Sequence, residues 1–397
     1  MARLLFILLL SFHTAAHAAV EALVYQEQLL KVDGNSYRVS LPKGYVLELI
    51  TSELDGPRIP TFSENGDLFI GSKSGDIYRF TPPYTKPQLL VKLKGYPHSV
   101  ALFDGAMYVA QTKGLYRAPY TLGQERLSKK EFKLLVPLPS GGHSSRTVAV
   151  GPDKRVYLSM GISGNCNNEY LGDAYDFDDR RGGVLVLDDS GNKPVLKTFA
   201  SGLRNPVGFA WHPQTAEMYA SNNGPDHLGF QVPPEYFSRL LPDSFHGMPW
   251  FQFDGKKIFR DECISHPPPR PIQDVQPPVV TFPARNAPMG VTFVPEHAMH
   301  KGLMHDAIVA LRGSWGTRPS GSFWGDASTR RTPKLVVVRF ENGNAKRVDD
   351  LLTGFQLADG DRWARPVGVA IGPDGALYFT SDSGVNGLFR LRYISSN

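Results

Sequence analysis

One pattern recurs along the chain and constrains its fold more than any other feature. A small residue or Pro leads into an apolar strand, a Gly-containing turn follows, and a second strand rich in aromatics returns. It occupies Pro57 to Phe80 (PRIPTFSENGDLFIGSKSGDIYRF), Pro97 to Arg117, Ser145 to Gly161, Pro206 to Asn223, Pro288 to Phe340 with a long insertion, and Pro366 to Tyr393. Turns such as Ser63-Glu64-Asn65-Gly66 and Gly372-Pro373-Asp374-Gly375 hold what a tight hairpin needs, Pro to preset φ and Gly to take positive φ. Each copy therefore opens with a hairpin. In several a third strand follows, as at Asp76 to Phe80, Val184 to Asp188, Leu335 to Phe340 and Leu388 to Tyr393. Such a unit cannot cover both of its faces alone, whereas six of them set radially cover one another. The chain is thus expected to be all-β, a six-bladed β-propeller with long loops on the channel-mouth face. Tyr45 to Thr51 is expected to close the ring against the first or last blade.

Composition agrees with many short elements, since 39 Gly and 32 Pro are spread along the chain and not pooled in a linker. No domain boundary is visible, so residues 19–397 are expected to form one unit large enough to bury a sizeable core. Residues 1–18, MARLLFILLLSFHTAAHA, have the form of a signal peptide: Arg3, an apolar run from Leu4 to Phe12, then Ala16-His17-Ala18. The run is too short to span hydrocarbon, and no later segment is long and apolar enough. Export, to a periplasm or outside the cell, would carry Cys166 and Cys263 into an oxidising compartment. They are expected there as a disulfide, the alternative being two separate thiols. No CxxC or CxxCH spacing suggests zinc or attached haem. The formal charge is only +5, and Lys129-Lys130, Lys256-Lys257 and Arg330-Arg331 are isolated pairs, so nucleic acid is not an expected partner.

Repeats turn position into geometry, because residues just ahead of each opening strand fall around the channel mouth. In register, those positions are Asp55-Gly56, Gly95-Tyr96, His143-Ser144, Arg204-Asn205, Asn286-Ala287 and Ala364-Arg365, with His98 just inside the second copy. A mouth carrying His143, Arg204, Arg285 and Arg365 is cationic with a titratable imidazole, which suits a small polyanion held for proton chemistry. Pairing of these arginines with local carboxylates is the competing reading. The loop Ser221 to Asp226 (SNNGPD) offers hard oxygen donors of the kind Ca²⁺ takes, and on residue types alone it is equally an Asx-rich turn without metal. The insertions Asn165 to Arg181 and His227 to Pro283 are where function is expected to sit.

With these residues in view, the chain resembles the soluble pyrroloquinoline quinone (PQQ) dependent glucose and sorbosone dehydrogenases. The likeness is carried by GHSSRTVAVGPDKRVYLSMG at Gly142 to Gly161, GLRNPVGFAWHP at Gly202 to Pro213 and NNGPDHLG at Asn222 to Gly229. APMGVTF at Ala287 to Phe293, RGSWGTRPSG at Arg312 to Gly321 and WARPVGVAIGPDGALYFTSD at Trp363 to Asp382 extend it over nearly the whole chain. The resemblance implies oxidation of a sugar, sugar aldehyde or related alcohol by hydride transfer to PQQ, with Ca²⁺ bridging cofactor and protein. An external electron acceptor, a cytochrome or a quinone, would complete the cycle. Carried over by position, His143 is the general base and Arg204 stabilises charge on the quinone oxygen with Asn205 beside it. His98, Arg285, Arg312, Arg362 and Arg365 become cofactor-binding residues, and Gly224, Pro225 and Asp226 become metal ligands. Arg285 and Arg312 stand where the sorbosone-type branch usually has His.

Two other functions fit the scaffold. A noncatalytic binding propeller would keep the ring and lose the chemistry, and a Ca²⁺ lactonase-type hydrolase would need acidic ligands converging in the channel. Fold alone does not choose among them.

Overall fold

The computed structural model describes residues 22–299 and 301–394. The leader expected over residues 1–18 lies outside them. Six antiparallel sheets follow one another around a ring, and each expected repeat heads one of them. The first is Pro57–Phe62, Leu68–Ser72, Asp76–Phe80 and Gln88–Lys92, and the second is Pro97–Phe103, Ala106–Gln111, Gly114–Pro119 and Lys133–Pro137. Val148–Val150, Val156–Met160, Gly183–Asp188 and Val195–Ser201 form the third, extended in parallel by Ser244–Phe245 from the fourth-blade insertion. Phe209–Trp211, Met218–Asn222, Glu235–Leu240 and Val280–Phe282 make the fourth, and Pro288–Phe293, Ala307–Leu311, Lys334–Glu341 and Asn344–Leu352 the fifth.

The sixth blade closes the ring. Ala364–Ile371 pairs with the first half of Leu377–Tyr393, whose second half pairs with Tyr45–Thr51 from the other end of the chain. The two halves lie side by side, with the rings of Phe379 and Phe389 stacked 4.9 Å apart. The expected closing strand therefore joins the last blade, where Glu48 receives Arg390 at 2.7 Å and Arg392 at 2.9 Å.

Close approach of the innermost strands depends on small and hydroxyl side chains. Thr61 Oγ1 donates to Val100 O at 3.0 Å, Ser99 Oγ to Arg146 O at 3.1 Å, Ser221 Oγ to Met289 O at 2.6 Å and Thr380 Oγ1 to Arg58 O at 2.6 Å. Thr147 Oγ1 does the same to Val207 O. Each bond ties a blade to its neighbour while satisfying a buried polar group. Between the fifth and sixth blades Gly290 serves instead, since a Cβ there would sit 2.8 Å from Val367 O. The apolar faces stack between blades, as where Tyr219 and Phe237 of the fourth meet Phe293, Val309 and Val336 of the fifth.

A hairpin ahead of the repeats packs on their core. Tyr25–Val32 and Asn35–Pro42 form a hairpin whose Leu30, Val32, Val39 and Leu41 join the core of the fifth and sixth blades. Tyr37 stacks on Trp363 at 4.5 Å, and Ser40 and Thr353 exchange two backbone hydrogen bonds. Among the described residues no helix is long and apolar enough to cross a membrane.

Candidate active site

The loop ahead of the third blade carries His143, and two buried arginines shape that loop. Arg146, wholly buried, donates to the carbonyls of His143 at 2.6 Å, Ser145 at 2.8 Å and Pro139 at 3.1 Å. Arg181 donates to those of Ser140 at 2.7 Å and Gly141 at 3.1 Å. Arginine suits this task because its planar fork reaches several carbonyls from one position. The loop is held from inside.

His143 Nδ1 lies 2.5 Å from the Ile162 carbonyl. A carbonyl only accepts, so Nδ1 carries the hydrogen and Nε2 keeps a lone pair. Among the described residues Nε2 has no hydrogen-bond partner. Burial lowers the imidazole pKa to about 4, and the positive charge of Arg204 acts in the same direction. The side chain is therefore neutral at pH 7. Gly161 permits the crowding here, since a Cβ would sit 2.8 Å from Asn205 Oδ1 and 2.9 Å from His143 Cβ. Ile162 N in turn bonds to Arg204 O at 2.8 Å, so His143, Arg204 and Asn205 share one backbone frame.

Arg204 donates from Nε to Asn165 Oδ1 at 2.9 Å and pairs with Asp226 Oδ2 at 2.9 Å. Arg285 pairs with the other Asp226 oxygen, donates to the Asp226 carbonyl, and reaches Gly229 O at 2.9 Å. Both oxygens of Asp226, expected as a metal ligand, are thus paired with guanidiniums. Arg285 is held by Asp226 and Gly229, not left free for a cofactor carboxylate. The carbonyls of Gly224 and Pro225, by contrast, accept no hydrogen bond among the described residues and are available to a hard cation.

Sequence reasoning missed the partner behind that loop. Glu235 is 3% exposed and accepts from Gly224 N at 2.5 Å and Ala287 N at 3.4 Å. Burial raises its pKa to about 7 despite the Gly224 hydrogen bond. Its signal was thin, an acidic residue opening an otherwise ordinary strand.

Across the mouth, Asp382 gathers three cations. Arg58 meets Oδ2 at 2.6 Å, Lys73 meets the same oxygen at 2.8 Å, and Arg312 meets Oδ1 at 2.9 Å. Burial alone would raise the Asp382 pKa, yet Arg58, Arg312 and Lys73 together hold it well below the usual carboxylate range. Arg362 and Arg365 have no such carboxylate. Arg365 reaches only the carbonyls of Arg312 and Gly313, each at 3.0 Å, and Arg362 only Gln356 Oε1 and two carbonyls. Burial, then the charges of Arg312 and Arg362, lower the Arg365 pKa to about 9. The Asp382 carboxylate acts in the opposite sense, and the guanidinium stays charged at neutral pH.

His98, expected to bind cofactor, sits deeper in the ring. It is fully buried, with Nδ1 3.0 Å from Arg146 O and Nε2 3.4 Å from Arg58. The register explains this, because His98 follows the shared Pro and points within the ring, as Arg58 does after Pro57. Arg58 and Asp382 were findable from the same register but not from composition.

The family model that matches is TrAA12-like, over residues 39–233. Over 89% of this chain and 96% of the other, the fold superposes on the calcium structure of a Trichoderma reesei carbohydrate-active enzyme of family AA12, with a TM-score of 0.74 and 18% identity. The holo PQQ domain of pyranose dehydrogenase from Coprinopsis cinerea follows at 0.69 and 18%, over 90% and 97% of the two chains. The apo soluble aldose sugar dehydrogenase of Escherichia coli superposes at 0.62 and 15%, over 88% and 99%. An uncharacterized protein of Borreliella burgdorferi is 25% identical over 370 residues, 89% of this chain and 91% of its own. These solved structures share the fold of this chain.

Proposed function

We propose that this protein is an exported quinoprotein dehydrogenase that oxidises a sugar, sugar aldehyde or related alcohol. The observation that carries the reading is a neutral imidazole with a free Nε2 at a mouth where Arg362 and Arg365 pair with no carboxylate among the described residues. PQQ bears three carboxylates, and Arg312, Arg362 and Arg365 are the residues that would hold them. Ca²⁺ would take the Gly224 and Pro225 carbonyls, not the Asp226 carboxylate. When bound, PQQ supplies the two-electron acceptor, and the protein's own task is to position substrate and manage its proton. His143 Nε2 accepts the hydroxyl proton, while the Ile162 carbonyl keeps the ring in the tautomer that can do so. Arg204, fixed by Asn165 and Asp226, presents a preorganised positive charge where negative charge develops. An external cytochrome or quinone takes the electrons onward. The propeller neighbours that bear the names of sugar oxidoreductases support this reading, and the leader-like residues 1–18 support export.

Calorimetric titration of the chain with PQQ, with and without Ca²⁺, followed by dye reduction over a panel of aldoses and aldehydes, tests it. Tight binding and sugar-dependent reduction are expected, and a chain that binds no PQQ sinks the proposal. Arg365→Ala should weaken PQQ binding by about tenfold or more, the loss of a charge-assisted contact of roughly 1.5–3 kcal/mol.

The pH profile is a separate check. The acid limb of kcat/KM should fall near pH 4 and not near 6.5, because His143 must be neutral to act. Arg204→Gln removes a positive neighbour and should move that limb upward. An unshifted limb would separate His143 from the titration.

A further inference from the structure

Cys166 and Cys263 form a disulfide that joins the third-blade loop to the fourth-blade insertion. Beside it stands a histidine that the proposed reaction does not use. His227 turns Nδ1 toward Cys166 Sγ at 3.8 Å, and its Nε2 lies 3.1 Å from both oxygens of Asp261. Asp261 is 2% exposed and is itself held by Gln252 Nε2 at 2.9 Å and Cys263 N at 3.1 Å. A carboxylate on Nε2 fixes the hydrogen there and leaves the Nδ1 lone pair facing the sulfurs. That is how a carboxylate partner orients a metal-binding imidazole.

One ligand atom each from Cys166, His227 and Cys263 lies within 4.8 Å of the others, and no other group of three or more His, Cys, Asp or Glu side chains among the described residues could hold a metal ion in this way. Around a tetrahedral ion with Zn–S and Zn–N bonds of about 2.3 and 2.0 Å, ligand atoms stand roughly 3.5–3.8 Å apart. Small side-chain rotations of these three residues reach that arrangement.

We propose that reduction of the Cys166–Cys263 bond creates a site for a single thiophilic metal ion of the Zn²⁺ class, bound by both cysteines and His227 Nδ1. Two sulfurs and an imidazole select against the oxygen-seeking Ca²⁺ and Mg²⁺. An external dithiol passes two electrons and two protons to the disulfide, leaving two protein thiols and the oxidised dithiol. The metal ion then displaces both thiol protons, forming two metal–sulfur bonds and one metal–nitrogen bond, with water in the fourth position. His227 is exposed, which leaves an entry path. The site adjoins the mouth, because Asn165 precedes Cys166 and accepts from both Arg204 and Asp226 N. It stands on these residues alone and does not rest on the dehydrogenase reading.

The full chain, reduced with a phosphine, desalted without oxygen and titrated with Co²⁺, provides the test. A single equivalent should bind with thiolate-to-cobalt charge-transfer and tetrahedral d–d bands, and Zn²⁺ should displace it. The oxidised chain should show neither band. His227→Ala should weaken Co²⁺ binding by at least about tenfold, and Asp261→Asn by about 10–100-fold, the usual effect of losing such an orienting carboxylate. Reduced protein with an unchanged circular dichroism spectrum and no charge-transfer band overturns the proposal, as does equal binding by His227→Ala. If reduction unfolds the chain, recovery of the spectrum on adding Zn²⁺ supports the site and failure to recover overturns it.

Discussion

Replacing His143 by alanine is expected to lower turnover by about 10²–10⁴-fold, the contribution typical of a positioned general base. Cofactor affinity should be unchanged, because no arginine of the anion cluster touches the imidazole. The comparison that matters is therefore calorimetric PQQ binding beside the steady-state rate. His143→Gln sharpens it, since the amide can still donate to the Ile162 carbonyl 2.5 Å from the native Nδ1 but cannot accept a proton at neutral pH. If the glutamine variant turns over at the wild-type rate, His143 is a loop-fixing residue and not a base. Loss of PQQ binding in both variants would instead point to collapse of the loop held by Arg146 and Arg181.

Asp382→Asn is expected to give the largest loss of stability, about 3–5 kcal/mol, the cost of removing one partner from a buried ion pair. The side chains of Asp382 and Arg58 are 0% and 4% exposed, so water cannot replace the lost charge, and Arg312 loses its carboxylate at the same time. Urea unfolding at pH 7 measures this directly. The pH dependence gives an independent sign. The folded pKa of Asp382 is depressed, so its stabilisation is present above the ordinary aspartate value and is lost as pH falls through the folded pKa. Wild type should therefore lose stability below about pH 4, and Asp382→Asn should lose less of it there. Adding Arg58→Met to Asp382→Asn should recover part of the loss, because it removes the charge left unpaired. A pair of substitutions whose effects simply add would show that the two residues are uncoupled.

The ring was legible before any coordinates because each blade writes the same pattern of Pro, apolar strand, Gly turn and aromatic strand. Even the closing strand, Tyr45 to Thr51, could be named. The hairpin of Tyr25–Val32 and Asn35–Pro42 could not, since it repeats nothing and its place depends on a distant groove beside Trp363. At the site, His143, Arg204, Asn205, Arg362 and Arg365 were nameable from register and resemblance. The partners of Asp226, Arg285 and His98 were not, because charge pairing and depth are properties of neighbours far away in the chain.

What the sequence determined alone is periodic and local: the number of blades, the all-β class, and which residues lead into each inner strand. Hairpins obey short-range rules of turn chemistry and alternation, so residues close in sequence suffice to specify them. Only the tertiary structure decided which charges cancel and which do not. Asp382 pairs with Arg58, Lys73 and Arg312 across separations of 324, 309 and 70 residues, while Arg365 donates to the carbonyls of Arg312 and Gly313. Electrostatic energy depends on distance and burial in space, and neither can be read from order along the chain.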